Sequence, residues 1–565
     1  MDRARWQRLG PVVIAFLCAW LTIAITGHQS GAGNNLFHLP ILTGLYDQQN
    51  FRGDAFVQSI RFYASGFWML MRHVADRDTM LGFFLPLQVA SRFLFFVGVL
   101  AMARPLCVVD LRQKCVFLVL VALAFALRGT APAGDGGLLV PIFTHSELAN
   151  GTTLIALALA MRDRFGAAVL AWSVTFFINM FMAVWLAPAL AVLAILSLMR
   201  GAVSVRGLAP RVLVGGIASL PLIVPVLMNV FGNPEFGRAP TFDYPTFLRD
   251  YWPMHFLVDQ VAKRDLVALA GLVVTTWVAS LMLEGHARTA LRAVLISYAA
   301  IWLVGAIVPL ITRSPTILNL HLLRSSAIIV IITVVAVAAT IARLLDGDAQ
   351  VDRRVWAPLL ALLLVAGPYL ILLVPVVLLL RRARLLPLAA AQRWIAGVAL
   401  LVMAVSVGWA IRTSLVSDAR FRAGQREWLA MATWARQRSA PGDRFLLPTK
   451  NINFGGSLPH DDREPPFVPG GDVFEAAAQR RVWVGFKEGA AAMWTPSYYG
   501  EWHRRVSDVL SLHSLPERVA YARRNGIAFV VDHCPTGAAA LRPTYDGHDL
   551  CVYRANEPER VPSRS

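Results

Sequence analysis

The sequence predicts a polytopic α-helical membrane protein of 12 or 13 spans, carrying a smaller soluble α/β domain at its C-terminal end. Three observations predict it. Mean hydropathy is +0.55 and 56% of the 565 residues are apolar, above the roughly 45–50% of soluble domains. The apolar residues fall in charge-poor windows of about 17–25 residues, each long enough to cross ~30 Å of hydrocarbon as a helix. The texture then changes after Arg412: the last 151 positions hold 37 charged residues, against 51 in the first 414. That step divides the chain into a membrane part, 1–412, and a soluble part, 413–565.

The basic flank Arg3, Arg5, Arg8 and the apolar run Pro11–Thr26 predict a retained first helix with its N-terminus inside. A cleaved signal peptide is the alternative, but no clean small-x-small site precedes Gly27. The connection 28–79 follows. Within it Phe56, Ile60, Tyr63, Phe67 and Leu70 recur at 3–4 spacing, which predicts an amphipathic helix lying along the membrane surface. Spans are expected near 80–102, 115–128, 147–161, 166–181, 183–199, 212–231, 264–283, 291–311, 325–343, 355–380 and 391–411.

Parity turns on Val355–Leu380, which carries Gly367-Pro368 at its middle and reads as one span or as a hairpin. The basic segment Arg381, Arg382, Arg384, Arg393 belongs on the cytoplasmic side. The last helix then exits outward, placing the C-terminal domain in the periplasm of a bacterial inner membrane. In that domain Gln425–Arg438 and Ser514–Asn525 read as helices. Arg444–Pro448, Arg481–Phe486, Ile527–Asp532 and Leu550–Tyr553 read as strands, and Asn451–Gly471 as a loop. Cys534 and Cys551 sit near facing ends of the last two strands, where a cross-strand disulfide suits an oxidising compartment; two unrelated thiols are the alternative.

The net charge of +18 does not signal nucleic acid. No basic cluster is interleaved with aromatics, and there is no zinc-finger spacing. Only Lys114, Lys263, Lys450 and Lys487 among the basic residues are lysine, a skew that suits a GC-rich genome. P-loop, dinucleotide, HExxH and GxSxG motifs are absent, so chemistry is expected from loops at the membrane face.

The first outer loop offers His38, Asp47, Arg52 and Asp54. Two carboxylates seven residues apart, either side of an Arg52-Gly53 turn, can hold a metal or act as acid and base; alternatively Asp54 caps the helix beginning at Ala55. The second, Arg128–Leu148, carries Asp135 among glycines and then Thr144-His145-Ser146-Glu147, where Ser146 can cap the next helix and Glu147 suits its positive end. The loop TRSPTILNLHLLRSS places Arg313, His321 and Arg324 near a helix start, fit to grip a phosphate. The loop 232–262, with Asp250, Trp252 and His255, is acidic and aromatic in a way that suits a sugar.

With these residues the layout resembles the GT-C superfamily of integral-membrane glycosyltransferases. The stretch HLPILTGLYDQQNFRGDAFVQS is similar to the first loop of its bacterial members. The resemblance implies transfer of a sugar from a polyprenyl-phosphate donor to a periplasmic glycan, lipid or protein. It implies Asp54 or Asp47 as catalytic base, a divalent metal (Mg or Mn) on Asp47 and Asp135, and a further acidic position at Asp135 or Glu147. Substrate contacts are expected from His38, Arg52, His145, Glu147, Arg313, His321 and Arg324. The sequence departs from better-defined families in lacking a tight Asp-Glu or Asp-x-Asp pair in the first loop and a WWDYG-like signature. A lipid flippase, expected to bury charges within broken spans, and a non-catalytic assembly partner are the other readings; the span interiors read as nearly free of charge.

Overall fold

The computed structural model describes residues 3–383, 392–451, 457–459, 468–535 and 541–556. It is a bundle of membrane helices with a small α/β domain on one end. Seven described helices are long and apolar enough to cross a membrane: Leu9–Thr26, Phe84–Ala103, Met180–Met199, Val205–Phe231, Gly285–Ile311, Pro315–Asp346 and Trp394–Arg438. The shorter helices Leu111–Leu123, His145–Ala160, Phe165–Ile178 and Lys263–Ser280 lie between them in the chain. The difference from 12 or 13 spans is one of length. A helix of 13 residues rises only ~20 Å, and such helices pack against longer neighbours in a shared core.

Sequence pattern decides which helix is central. Ser326–Asp346 is Ile, Val and Ala on every face, and 83% of its apolar window lies inside the bundle; a helix apolar all round is a buried helix. The last helix is the opposite case, with 6% of its window buried and Trp394, Leu401 and Val405 exposed.

The segment 352–382 is a hairpin. Helix Ala357–Val365 ends before Gly367-Pro368, and Val374–Arg382 runs back. Arg381 at its end grips Asp352 at its start through two bonds, Nε–Oδ1 at 2.7 Å and an Nη–Oδ2 contact at 2.6 Å. The chain therefore returns to the side it left, and the final helix crosses to the side of the first loop. There the His28 N–H donates to Asp418 (2.9 Å) and the Gly33 N–H to Asp472 (2.7 Å). The backbone does not break at Arg412: one helix runs Gln392–Arg438, from the membrane into the soluble domain. Arg384 lies outside the described residues, as do 452–456 and 460–467 of the expected loop.

The soluble domain holds a five-stranded sheet of order β2-β1-β3-β5-β4, with β1 Arg444–Leu446, β2 Arg481–Val482, β3 Phe529–His533, β4 Tyr545–Asp546 and β5 Leu550–Arg554. β1 pairs parallel with β2 and β3, and β5 antiparallel with β3 and β4. β2 is shorter than expected, because the chain turns at Gly485 into a 3₁₀ run, Phe486–Met493. Cys534 and Cys551 are joined in a disulfide.

The expected surface helix of the first loop is three short pieces, Ala55–Ser59, Ile60–Phe62 and Gly66–Met71. The break at Tyr63–Ser65 has a cause. The Ser65 hydroxyl donates to the Ile178 carbonyl (2.7 Å), and a Cβ on Gly66 would stand 2.2 Å from the Phe177 ring. The loop is thus pulled onto helix Phe165–Ile178, and Tyr63 turns inward. The span interiors are also not free of charge: Arg92 and Glu147, both fully buried, form an ion pair, and Arg92 donates to the Val140 carbonyl at 2.7 Å.

Candidate active site

The loop side of the bundle encloses a cavity of about 350 Å³, roofed by the soluble domain through Lys487, Ala490, Met493 and Trp494. Its functional wall is the glycine-rich turn of the second loop. The Gly129 N–H donates to the Leu139 carbonyl (3.2 Å) and the Leu138 N–H to that of Gly129 (2.9 Å), so the loop closes as a narrow finger. At its tip a Cβ on Gly134 would stand 2.1 Å from the Leu323 carbonyl oxygen, and one on Gly136 2.7 Å from that of Arg324. Only glycine permits this approach. Between them Asp135 adopts φ +51°, and its carboxylate enters the cavity. The Trp252 indole donates to it at 3.1 Å, while the His255 Nδ1–H donates to the Gly134 carbonyl at 3.2 Å.

The same approach positions Arg324, on the 3₁₀ turn Leu322–Ser325. His321 precedes it at φ +52°, held by Phe256 (ring centroids 4.6 Å apart) and Phe181. The Trp185 indole donates to the Leu320 carbonyl at 2.8 Å. Arg324 lines the cavity, yet its Nε is buried with no hydrogen-bond partner, and so is Nδ1 of His321. Buried polar groups are normally satisfied, so an unpaired guanidinium N–H marks a place for an acceptor. Lys487 adds a second cation, its ammonium 5.7 Å from the Trp252 ring centre. Burial lowers its pKa, against the pull of Asp472 and Asp135. Burial, and then the Arg324 charge, holds His255 well below the ordinary imidazole range, so it is a neutral hydrogen-bonding group.

A second cavity of about 190 Å³ lies on the other face of the finger and shares Thr130 and Asp135 with the first. Its polar lining includes Arg128, Asp265 and Tyr369, the last on the tip of the 352–382 hairpin. Nε of Arg128 is also buried without a partner.

The expected site residues divide. Asp135, His145, His321 and Arg324 line the main cavity, and His38 lies behind it against Tyr63 and His145. The first-loop carboxylates are elsewhere. Asp47 is at the surface, held by Arg61 (3.1 Å) and Arg72 (2.5 Å). Asp54 caps the helix Ala55–Ser59 by accepting from the Val57 N–H at 3.0 Å. Its pKa is raised by burial and held down by the Val57 bond and by Arg481 and Arg505, at the seam with the soluble domain. Arg52 is exposed, and Arg313 pairs with Asp243 at 3.1 Å on the surface. Glu147 is paired with Arg92, and the next helix is capped by Thr144, not Ser146, whose oxygen accepts from Asn179 at 3.0 Å. The paired metal ligands Asp47 and Asp135 do not share a cavity, since both Asp47 oxygens are taken by arginines. No motif singles out Lys487 for the site; the scarcity of lysine in this chain is the available signal.

No protein-family model matches the sequence, and no curated protein does. Solved structures to which the chain is similar include the arabinofuranosyltransferase AftD from Mycobacteria, at 13% identity and TM-score 0.45. That match covers 99% of this chain and 40% of AftD, so the chain spans less than half the length of that protein. ArnT from Cupriavidus metallidurans bound to undecaprenyl phosphate is similar at 14% identity and TM-score 0.44, over 100% of this chain and 99% of that one. The archaeal oligosaccharyltransferase AglB from Archaeoglobus fulgidus, in complex with an inhibitory peptide and a dolichol-phosphate, is similar at 12% identity and TM-score 0.38, over 94% and 70%.

Proposed function

We propose that this protein is a membrane glycosyltransferase that moves a sugar from a polyprenyl-phosphate donor to a hydroxyl-bearing acceptor at the periplasmic face of a bacterial inner membrane. The observation that carries this reading is the pairing, in one cavity on the loop side of the bundle, of an unpartnered buried guanidinium, Arg324, with a carboxylate, Asp135. The donor phosphate sits against Arg324 and Lys487, which supply the positive charge that the family resemblance assigns to a divalent ion. The acceptor enters by the second cavity, beside Arg128 and Asp265. Asp135, common to both cavities, takes the acceptor hydroxyl proton as the oxygen attacks the anomeric carbon. The bond from that carbon to the phosphate oxygen breaks, and the lipid phosphate leaves with the electron pair. Fixed cations in a water-poor site stabilise such a leaving group strongly.

The test is Asp135→Asn, assayed in membranes for transfer from labelled polyprenyl-phosphate sugars and for binding of undecaprenyl phosphate. Transfer is expected to fall by about 10²–10⁴, the usual contribution of a general base, with lipid-phosphate binding kept. Undiminished transfer by the asparagine variant would show that the base is another residue.

A further inference from the structure

Behind the cavity wall, Asn35, His38 and Tyr63 form a chain whose hydrogen-bond polarity is fixed at its far end. The Asn35 side-chain nitrogen donates to the Phe143 carbonyl at 3.0 Å, which settles which end of the amide is nitrogen. Its other N–H faces Nδ1 of His38 at 3.2 Å. A ring nitrogen that meets an N–H must offer its lone pair, so the His38 proton sits on Nε2. Nε2 lies 3.3 Å from the Tyr63 hydroxyl and donates to it. Asn35 and His38 are both fully buried, and His38 is stacked on Trp68 at 3.9 Å between centroids, so neither ring nor amide is free to turn. The Tyr63 oxygen thus accepts from behind, no described residue accepts its proton, and the phenol lines the cavity that Arg324 enters.

We propose that Tyr63 is a third donor to the phosphate of the lipid substrate, and that Asn35 and His38 are positioning residues that keep its proton pointed into the cavity. This rests on the reading of the cavity as a lipid-phosphate site. Phosphate oxygens only accept, so a hydroxyl held as a donor recognises them and disfavours a ligand that presents donors instead. Burial supports the assignment by holding His38 neutral, as does the nearby Lys487 ammonium; the ionisable groups facing the ring are Lys487, His145 and Tyr63.

The experiment measures binding of undecaprenyl phosphate, and of undecaprenol as the phosphate-free control, to full-length protein in lipid nanodiscs. Tyr63→Phe should weaken undecaprenyl phosphate binding about tenfold, the scale of one hydrogen bond to a charged group, and leave undecaprenol unchanged. Asn35→Asp presents only acceptors, so it draws the His38 proton to Nδ1 and turns the Tyr63 proton away from the cavity. At pH 9 it should lose about as much as Tyr63→Phe, and the double variant should lose no more. At pH 6 an imidazolium beside the introduced carboxylate donates from both nitrogens, so the Asn35→Asp deficit relative to wild type should close while that of Tyr63→Phe persists. A residue that acts only through packing shows neither the non-additivity nor the pH recovery. Wild-type binding by Tyr63→Phe overturns the inference, as does an Asn35→Asp loss that is additive and constant with pH. Tyr63→Phe removes one oxygen only, so it decides the matter if Asn35→Asp does not fold. Arg324→Met separates the two claims: if it too binds undecaprenyl phosphate normally, the reading of the cavity fails, whereas its loss beside a normal Tyr63→Phe removes the Tyr63 role alone.

Discussion

At the scale of single residues, the same carboxylate type serves three ends, and the surroundings assign each. Asp47 is neutralised by two arginines in water, Asp54 caps a helix, and Asp135 meets an indole N–H inside a cavity. If Asp54 is a cap, Asp54→Asn should fold and transfer sugar like the wild type, since asparagine caps as well as aspartate. Asp54→Ala should cost about 1 kcal/mol of stability. Thermal unfolding and transfer assays on the pair check this; an inactive but folded Asp54→Asn protein would return catalysis to the first loop. The loop residues Asp135, His145, His321 and Arg324 are legible in the sequence, because polar side chains stand out against apolar spans. Convergence is not legible. Lys487 and Tyr63 are 424 positions apart in sequence and line one cavity, a juxtaposition that no local pattern encodes. Tyr63 is further disguised by an apolar spacing that continues across a break made by contacts of Ser65 and Gly66 with another helix.

At the scale of elements, the hairpin 352–382 fixes the side on which everything after it lies. Gly367-Pro368 makes the break legible, since proline removes a helix donor and clashes with the preceding turn. Which way the second half runs is not legible, because it depends on the Asp352–Arg381 contact. Both partners are mostly buried, and the guanidinium is bidentate, the geometry in which such a pair orients as well as attracts. Asp352→Arg should lower the thermal midpoint in detergent, and adding Arg381→Asp should recover much of the loss. Equal midpoints for the single and double variants would mean that the contact does not hold the hairpin closed. The Arg92–Glu147 pair does the same work between helices Phe84–Ala103 and His145–Ala160. Local pattern assigns Glu147 only a dipole role, because Arg92 is 55 residues away.

At the scale of the whole molecule, the soluble domain is the roof of the cavity, and it meets the first loop along a seam of buried acids. Burial raises Asp54, Glu475 and Glu488, the last to about 8, while Arg481 and Arg505 oppose the shift at Asp54. A carboxyl whose folded pKa lies above its unfolded value binds its proton more tightly when folded. Its contribution is complete below the unfolded pKa and is lost as pH rises through the folded one. For Glu488 that window runs from its ordinary value near 4.5 up to about 8. Glu488→Gln should therefore raise the thermal midpoint at pH 8 and change it little at pH 5. A benefit that is the same at both pH values would mean that Glu488 is already ionised in the folded seam. The helix Gln392–Arg438 ties this roof to the bundle without a break, so the composition step after Arg412, although plain in the sequence, marks a change of solvent and not a flexible joint.

In the proposed reaction the lipid phosphate binds between Arg324 and Lys487, with Asp135 opposite. The most direct measurement is a cryo-EM map of the protein in nanodiscs with undecaprenyl phosphate. Phosphate density within hydrogen-bond reach of Nε of Arg324, beneath Lys487, is the result expected. Phosphate density on the first loop beside Asp47 and Arg61, with the cavity around Arg324 filled only by water, would contradict it.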